Sequence, residues 1–197
     1  MRYKKIVIVV LLTLFASLLV VAGGGAGRLV SAQESKKAVY LKNNIHVQEH
    51  ENTGDYRASY ANWTNPGKGH IVIPVNTLVS MGHFRSGFTI IIQSTQKSIL
   101  FEVNEKNVGM GAEQYWRLIT SPEPVKLDKL SEIDRKGIQE GKAYVEMTKE
   151  GVRIALGYPA PHKTPSLESN TWYFWTNRFK SIAIEFGGNG RVRSVGK

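Results

Sequence analysis

The chain contains no cysteine. That absence excludes a disulfide framework, thiolate metal sites, a cysteine nucleophile and the lipid-modified cysteine that tethers a bacterial lipoprotein. Any fold it adopts is held by packing and hydrogen bonds alone. Hydrolase and nucleotide signatures are missing too: there is no G-x-S-x-G, no H-E-x-x-H and no phosphate loop. One S-x-x-K occurs, from Ser94 to Lys97, but it lies in a turn-like stretch without an accompanying S-D-N or K-T-G, so chance accounts for it. No basic block is interleaved with stacking aromatics, which argues against a nucleic-acid partner.

What is present begins with a leader. Residues 1–5 form a short basic head, and residues 6–22 are a seventeen-residue run without charge, apolar except for Thr13 and Ser17. A glycine-rich stretch follows, and Val30-Ser31-Ala32 sets the −3 and −1 positions of a signal-peptidase site. The pattern predicts export. Cleavage after Ala32 and retention of residues 6–22 as an inner-membrane anchor facing the periplasm both fit the length of the run. Of the ten net positive charges, four lie in residues 1–32 (Arg2, Lys4, Lys5 and Arg28, with no acid), which leaves +6 for the rest. A mildly basic surface of this kind suits an acidic polysaccharide, anionic lipid headgroups or an acidic protein, and equally an ordinary solvated face.

The mature part reads as α+β in two units. Residues 38–120 show short runs rich in Val, Ile, Thr and aromatics between turn residues, clearest at 39–41, 70–73, 88–92 and 98–103. In the last run Ile99, Phe101 and Val103 alternate with Leu100 and Glu102, the period of two that sends one set inward. Residues 65–69, 82–87 and 95–97 read as turns. The expected architecture is an all-β barrel or rolled sheet. Its outline, an extended start, a long polar loop and then Ile73-Pro74-Val75-Asn76-Thr77 leading into hairpins, resembles bacterial SH3-like barrels. Residues 111–119 form a short helix with Tyr115, Leu118 and Ile119 on one face, ended by Ser121-Pro122-Glu123-Pro124. The boundary between the two units is expected there.

From 125 to 197 the period changes to about 3.6 and then back to two. Ser131 with Asp134 is a capping pair for a helix that ends near Gly141, with Leu130, Ile133 and Ile138 for its buried side. Thr148 caps a second helix whose stripe is Val152, Ala155 and Leu156, with Gly157 at C′ and Pro159 as a stop. Strands are expected at 171–176, 181–186 and 191–195, the last two joined by a turn ending in Asn189-Gly190. Two helices would cover one face of a three-stranded antiparallel meander.

Met147-Thr148, then Val152, then Leu156-Gly157-Tyr158-Pro159, fits the pattern M-T-x-x-x-V-x-x-x-L-G-x-P. With Trp172-Tyr173-Phe174 and Ile184-Glu185-Phe186 downstream, residues 141–195 resemble the small outer-membrane assembly lipoproteins of the SmpA/OmlA, or BamE, type. The resemblance implies a fold and a role in binding other envelope components without catalysis or cofactor. It departs from that pattern at Glu146, where glycine is usual before Met-Thr, at Phe174, where tyrosine is common, in the long 162–170 loop, and in having no cysteine for the lipid.

Trp172, Tyr173, Phe174 and Trp175 are consecutive, so on a strand two must face each way. The outward pair, beside Arg178, would give a rigid aromatic surface next to a cation, suited to a protein or cell-wall polymer. His162 sits in a loop of unusual length. The candidate contact residues are therefore Trp172, Tyr173, Trp175, Arg178 and His162. No metal site is expected: His46 and His50 are four apart, but on strand and loop, where that spacing does not converge. The readings from other classes are a peptidoglycan-acting hydrolase with a site between the units, and a small-ligand or lipid carrier, which needs a cavity inside the barrel. The hydrolase requires His162 or His46 to meet a carboxylate and a hydroxyl in one pocket.

Overall fold

Short β-branched runs bounded by turn residues become seven strands: β1 (Val39–Leu41), β2 (Ile45–Glu49), β3 (Tyr56–Ser59), β4 (His70–Ile73), β5 (Leu78–Phe84), β6 (Gly87–Ile92) and β7 (Ser98–Glu102). The computed structural model describes residues 37–50 and 53–196, so the leader and the export expectation attached to it lie outside the described residues. Helices α1 (Glu105–Val108) and α2 (Ala112–Ile119) follow, and a two-residue strand β8 (Thr120–Ser121) closes this half. The eight strands make one curled sheet, a half-barrel, in the order β4-β2-β3-β7-β6-β5-β1-β8. Strands β5, β6 and β7 are a plain meander, whereas β3 joins β7 in parallel.

Alternation decides what faces the concave side. Val47, Phe88, Ile90, Ile99 and Phe101 all turn inward and are buried. Phe88 stacks on Phe101 with centroids 4.8 Å apart, and Trp116 of α2 meets Phe88 edge-on at 5.3 Å. Tyr115, Trp116 and Ile119 thereby cover this core; of the predicted face Tyr115 and Ile119 are buried, while Leu118 is only half-buried and Trp116 takes the inner place. Strands β2, β3 and β5 were not visible as such in the sequence. The predicted turn at 82–87 narrows to Arg85 and Ser86, because β5 runs through Gly82 to Phe84. A side chain at 82 would press on Thr89 and Ile91 at 3.1–3.2 Å, so the glycine lets β5 lie close against β6.

The second half contains α3 (Glu132–Glu140), α4 (Lys149–Leu156), β9 (Thr171–Trp175), β10 (Ser181–Phe186) and β11 (Val192–Val195). The three strands form an antiparallel sheet in the order β11-β10-β9, the expected meander. Both predicted caps form. The Ser131 hydroxyl accepts from Asp134 N, that of Thr148 accepts from Gly151 N, and Gly141 ends α3 in the left-handed region. Gly157 has the positive φ expected of it, 84°, but its ψ of −165° leads the chain away extended instead of curling it back.

Asp134 ties the two helix starts together. Its Oδ2 accepts from the Ser131 hydroxyl at 2.7 Å, and its Oδ1 accepts from Thr148 N at 2.8 Å, although the residue is fully buried. A buried carboxylate needs this many donors, and two helix N-termini supply a favourable field besides. The arrangement requires glycine opposite: a Cβ at Gly151 would lie 2.1 Å from Asp134 Oδ1. Met147, Val152, Ile154, Ala155, Trp172, Phe174, Ile184 and Phe186 complete this core. The two cores interlock at their margins, since Val75 belongs to the second and Tyr158 packs on the first.

Candidate functional site

Strand β2 carries the geometry that matters. Its outward residues are His46 and Gln48, with His50 just beyond, and the α3–α4 pair covers only the first of them. At this covered end the junction between the halves is polar but closed. Asn44 donates through Nδ2 to Ile138 O at 2.6 Å and to Ala155 O at 3.2 Å, and its Oδ1 accepts from Val75 N at 2.8 Å. Asn44 N also donates to Ile154 O, and further along Thr64 N and Asn65 N donate to Trp175 O and Thr176 O, all at 2.8–2.9 Å. His46 is 4% exposed, with Nε2 at 3.0 Å from Ala155 O and Nδ1 at 3.0 Å from His70 Nε2.

The carbonyl can only accept, so His46 carries its proton on Nε2, and Nδ1 accepts from the N–H of His70. Burial, and secondarily the neighbouring His70, pushes His46 down to about 4, while burial lowers His70 also. The neutral ring is the form that fits.

Past Gln48 the same face of the sheet opens into a groove of about 780 Å³. Its floor is the row Gln48, Arg57 and Leu100, which are register partners across β2, β3 and β7. The β3–β4 loop supplies Trp63 and Pro66 on one wall, the β5–β6 turn supplies Phe84 and Ser86, and the β9–β10 turn hangs residues 177–180 over the opening. Phe179, at the tip of that turn, is 85% exposed. Its backbone is held by Asn177, whose Oδ1 accepts from Phe179 N and Lys180 N at 2.9 and 3.0 Å. Trp63 is presented by two successive residues with positive φ, Asn62 at 68° and Trp63 at 37°, conformations that bulky residues adopt only when the surroundings hold them. Here the Asn62 side chain, bonded to Tyr158 O, anchors that bend on the second half.

The groove is basic. Arg57, Arg178 and Lys180 line it against a single described carboxylate, Glu102. Arg178 and Lys180 make no ion pair among the described residues, and Arg57 has only an exposed contact with Asp55 at 3.6 Å.

Of the five residues singled out in the sequence, only Arg178 lines this groove. Trp172 is corrected: it faces the helices with Phe174, is 2% exposed and has no surface to offer a partner. Tyr173 and Trp175 take the outward side of β9 as alternation requires, and His162 stacks on Trp175 with centroids 6.3 Å apart. The 162–170 loop is pinned over the edge of β9, because Tyr173 N donates to Thr164 Oγ1 at 2.9 Å and Lys149 Nζ donates to Leu167 O and Glu168 O. Tyr173, Trp175 and His162 are thus a patch beside the groove, not part of it. The groove residues missed by sequence reasoning are Arg57, Trp63, Phe84, Phe179 and Lys180. One signal was available: Asn177-Arg178-Phe179-Lys180 places a large aromatic between two cations in a hairpin turn, where apolar bulk has no core to enter.

The hydrolase constellation is not assembled at either named histidine. His46 pairs with another histidine and a backbone carbonyl, and His162 meets an aromatic ring. Among the described residues no cluster of three metal-ligating side chains converges. Comparison with protein-family models, with curated proteins and with solved structures gave no match.

Proposed function

We propose that this chain is a noncatalytic, exported envelope protein that binds a protein or cell-wall partner through the groove between its curled sheet and the β9–β10 turn. The observation that carries the reading is Phe179, 85% exposed between two cations that make no ion pair among the described residues, over a groove of ligand size. Exposed aromatic and arginine side chains around a concavity are the groups that dominate recognition energies. The leader supports export, and a capped helix followed by three antiparallel strands within residues 141–195 is in keeping with likening them to the BamE type. On this reading the curled sheet stands in the place of an SH3-like unit.

The test is site-resolved crosslinking in living cells. A photoreactive residue at position 179 is expected to give an adduct with an envelope protein or cell-wall polymer, and the same residue at Val145, 52% exposed and remote from the groove, to give none. Equal labelling at both sites, or none at 179, would contradict the reading.

A further inference from the structure

We infer that the groove takes an acidic saccharide, a chain of sugar rings bearing carboxylates. This rests on the reading of the groove as the binding site and adds the class of ligand. Three observations converge. First, the described lining sets Arg57, Arg178 and Lys180 against Glu102, so the space favours negative charge. Two of these cations are arginines, whose planar fork matches a carboxylate through paired hydrogen bonds.

Second, the rim is aromatic. Trp63, Phe84 and Phe179 stand around the cations, and flat rings pack against the C–H faces of sugars while leaving their hydroxyls free for polar neighbours. Third, the floor is the face of a sheet and not its edge. At Arg57 strand β3 is paired with β2 on one side and with β7 on the other, so this part of the floor offers no sheet edge for an extended peptide to pair with. The remaining polar contacts come from side chains, Gln48, Ser86 and Asn177, which suit hydroxyl groups scattered around a ring. A volume near 780 Å³ lies within the range of about 300–1,000 Å³ typical of sites that enclose a ligand segment.

Calorimetric titration of the purified full-length chain separates the possibilities, with a hexamer of uronic acid, neutral chitohexaose and a hexaglutamate peptide as probes. The uronate is expected to bind at least tenfold more tightly than chitohexaose and than hexaglutamate, and to weaken as salt rises. The double substitution Arg178→Gln/Lys180→Gln should cost at least tenfold in uronate affinity and Phe179→Ala at least threefold, with unchanged circular dichroism. Hexaglutamate binding as tightly as the uronate overturns the saccharide assignment and leaves the groove as a peptide site. If no probe binds while the position-179 crosslink persists in cells, the ligand class falls and the binding reading stands. If the crosslink is absent as well, both fall.

Discussion

One face of strand β2 is divided between two environments, and the contrast explains more of this molecule than either half does alone. At His46 the face is roofed by α3 and α4, and the polar atoms of Asn44 and the His46 ring meet backbone or ring partners. Two residues on, from Gln48 to His50, the roof ends, and the charged groups there have few partners or none among the described residues. Buried polar groups are rarely left unsatisfied, and apart from Asn43 Oδ1 those of Asn44 and His46 are met here, which is what a structural device requires. Solvated cations around an exposed phenyl ring are what the proposed reading uses, which makes the groove the candidate working surface.

Substitutions can sharpen this contrast. The largest effect is expected from Gly151→Ala, which drives a methyl group into the Asp134 carboxylate and separates the helix starts that roof the junction. A loss of about 4 kcal/mol in urea unfolding is expected from overpacking combined with a broken buried network. Asn44→Ala should follow at about 3 kcal/mol, since Val75 N is left buried without its acceptor and two carbonyls lose a donor. A cost below about 0.5 kcal/mol for Asn44→Ala would mean that the junction is wetter than described.

The pH dependence of stability comes next. His46 has a folded value of about 4 against 6.5 when free, so between these values the unfolded chain binds more protons and stability falls as pH falls. The contribution is fully present above pH 6.5, is reduced by about 2 kcal/mol at pH 5, and reaches about 3 kcal/mol when complete. His46→Gln should flatten that part of the profile between pH 7 and 5 relative to the parent chain; an unchanged slope would assign it to other groups. The smallest stability effect belongs to the groove. Arg178→Gln/Lys180→Gln should shift unfolding by no more than about 0.5 kcal/mol, because exposed side chains that make no ion pair among the described residues contribute little to folding.

What the sequence discloses follows the same division. Local chemistry was legible: the Ser131 and Thr148 caps, the helix end near Gly141, the two-and-two alternation of residues 172–175 and the meander of β9 to β11 can each be read within a few residues, although which aromatic pair turns inward could not. Long-range pairing was not. Tyr56-Arg57-Ala58-Ser59 becomes a strand because β7, some forty residues away, runs parallel beside it. Ile45-His46-Val47-Gln48-Glu49 looks one-sided, yet His46 is buried under helices far along the chain, its ring meeting Ala155 O 109 residues later. The groove draws on six separate segments, so only its most unusual piece, Arg178 in the β9–β10 turn, could be picked out beforehand.

The most direct measurement is amide hydrogen exchange of the full-length chain with and without a purified envelope fraction, resolved to short peptides. The account predicts slower exchange at residues 177–180 and 84–86 when envelope material is present, with helices α3 and α4 unchanged. Protection confined to the helices or to the far side of the small sheet, with both groove turns exchanging as before, would contradict it.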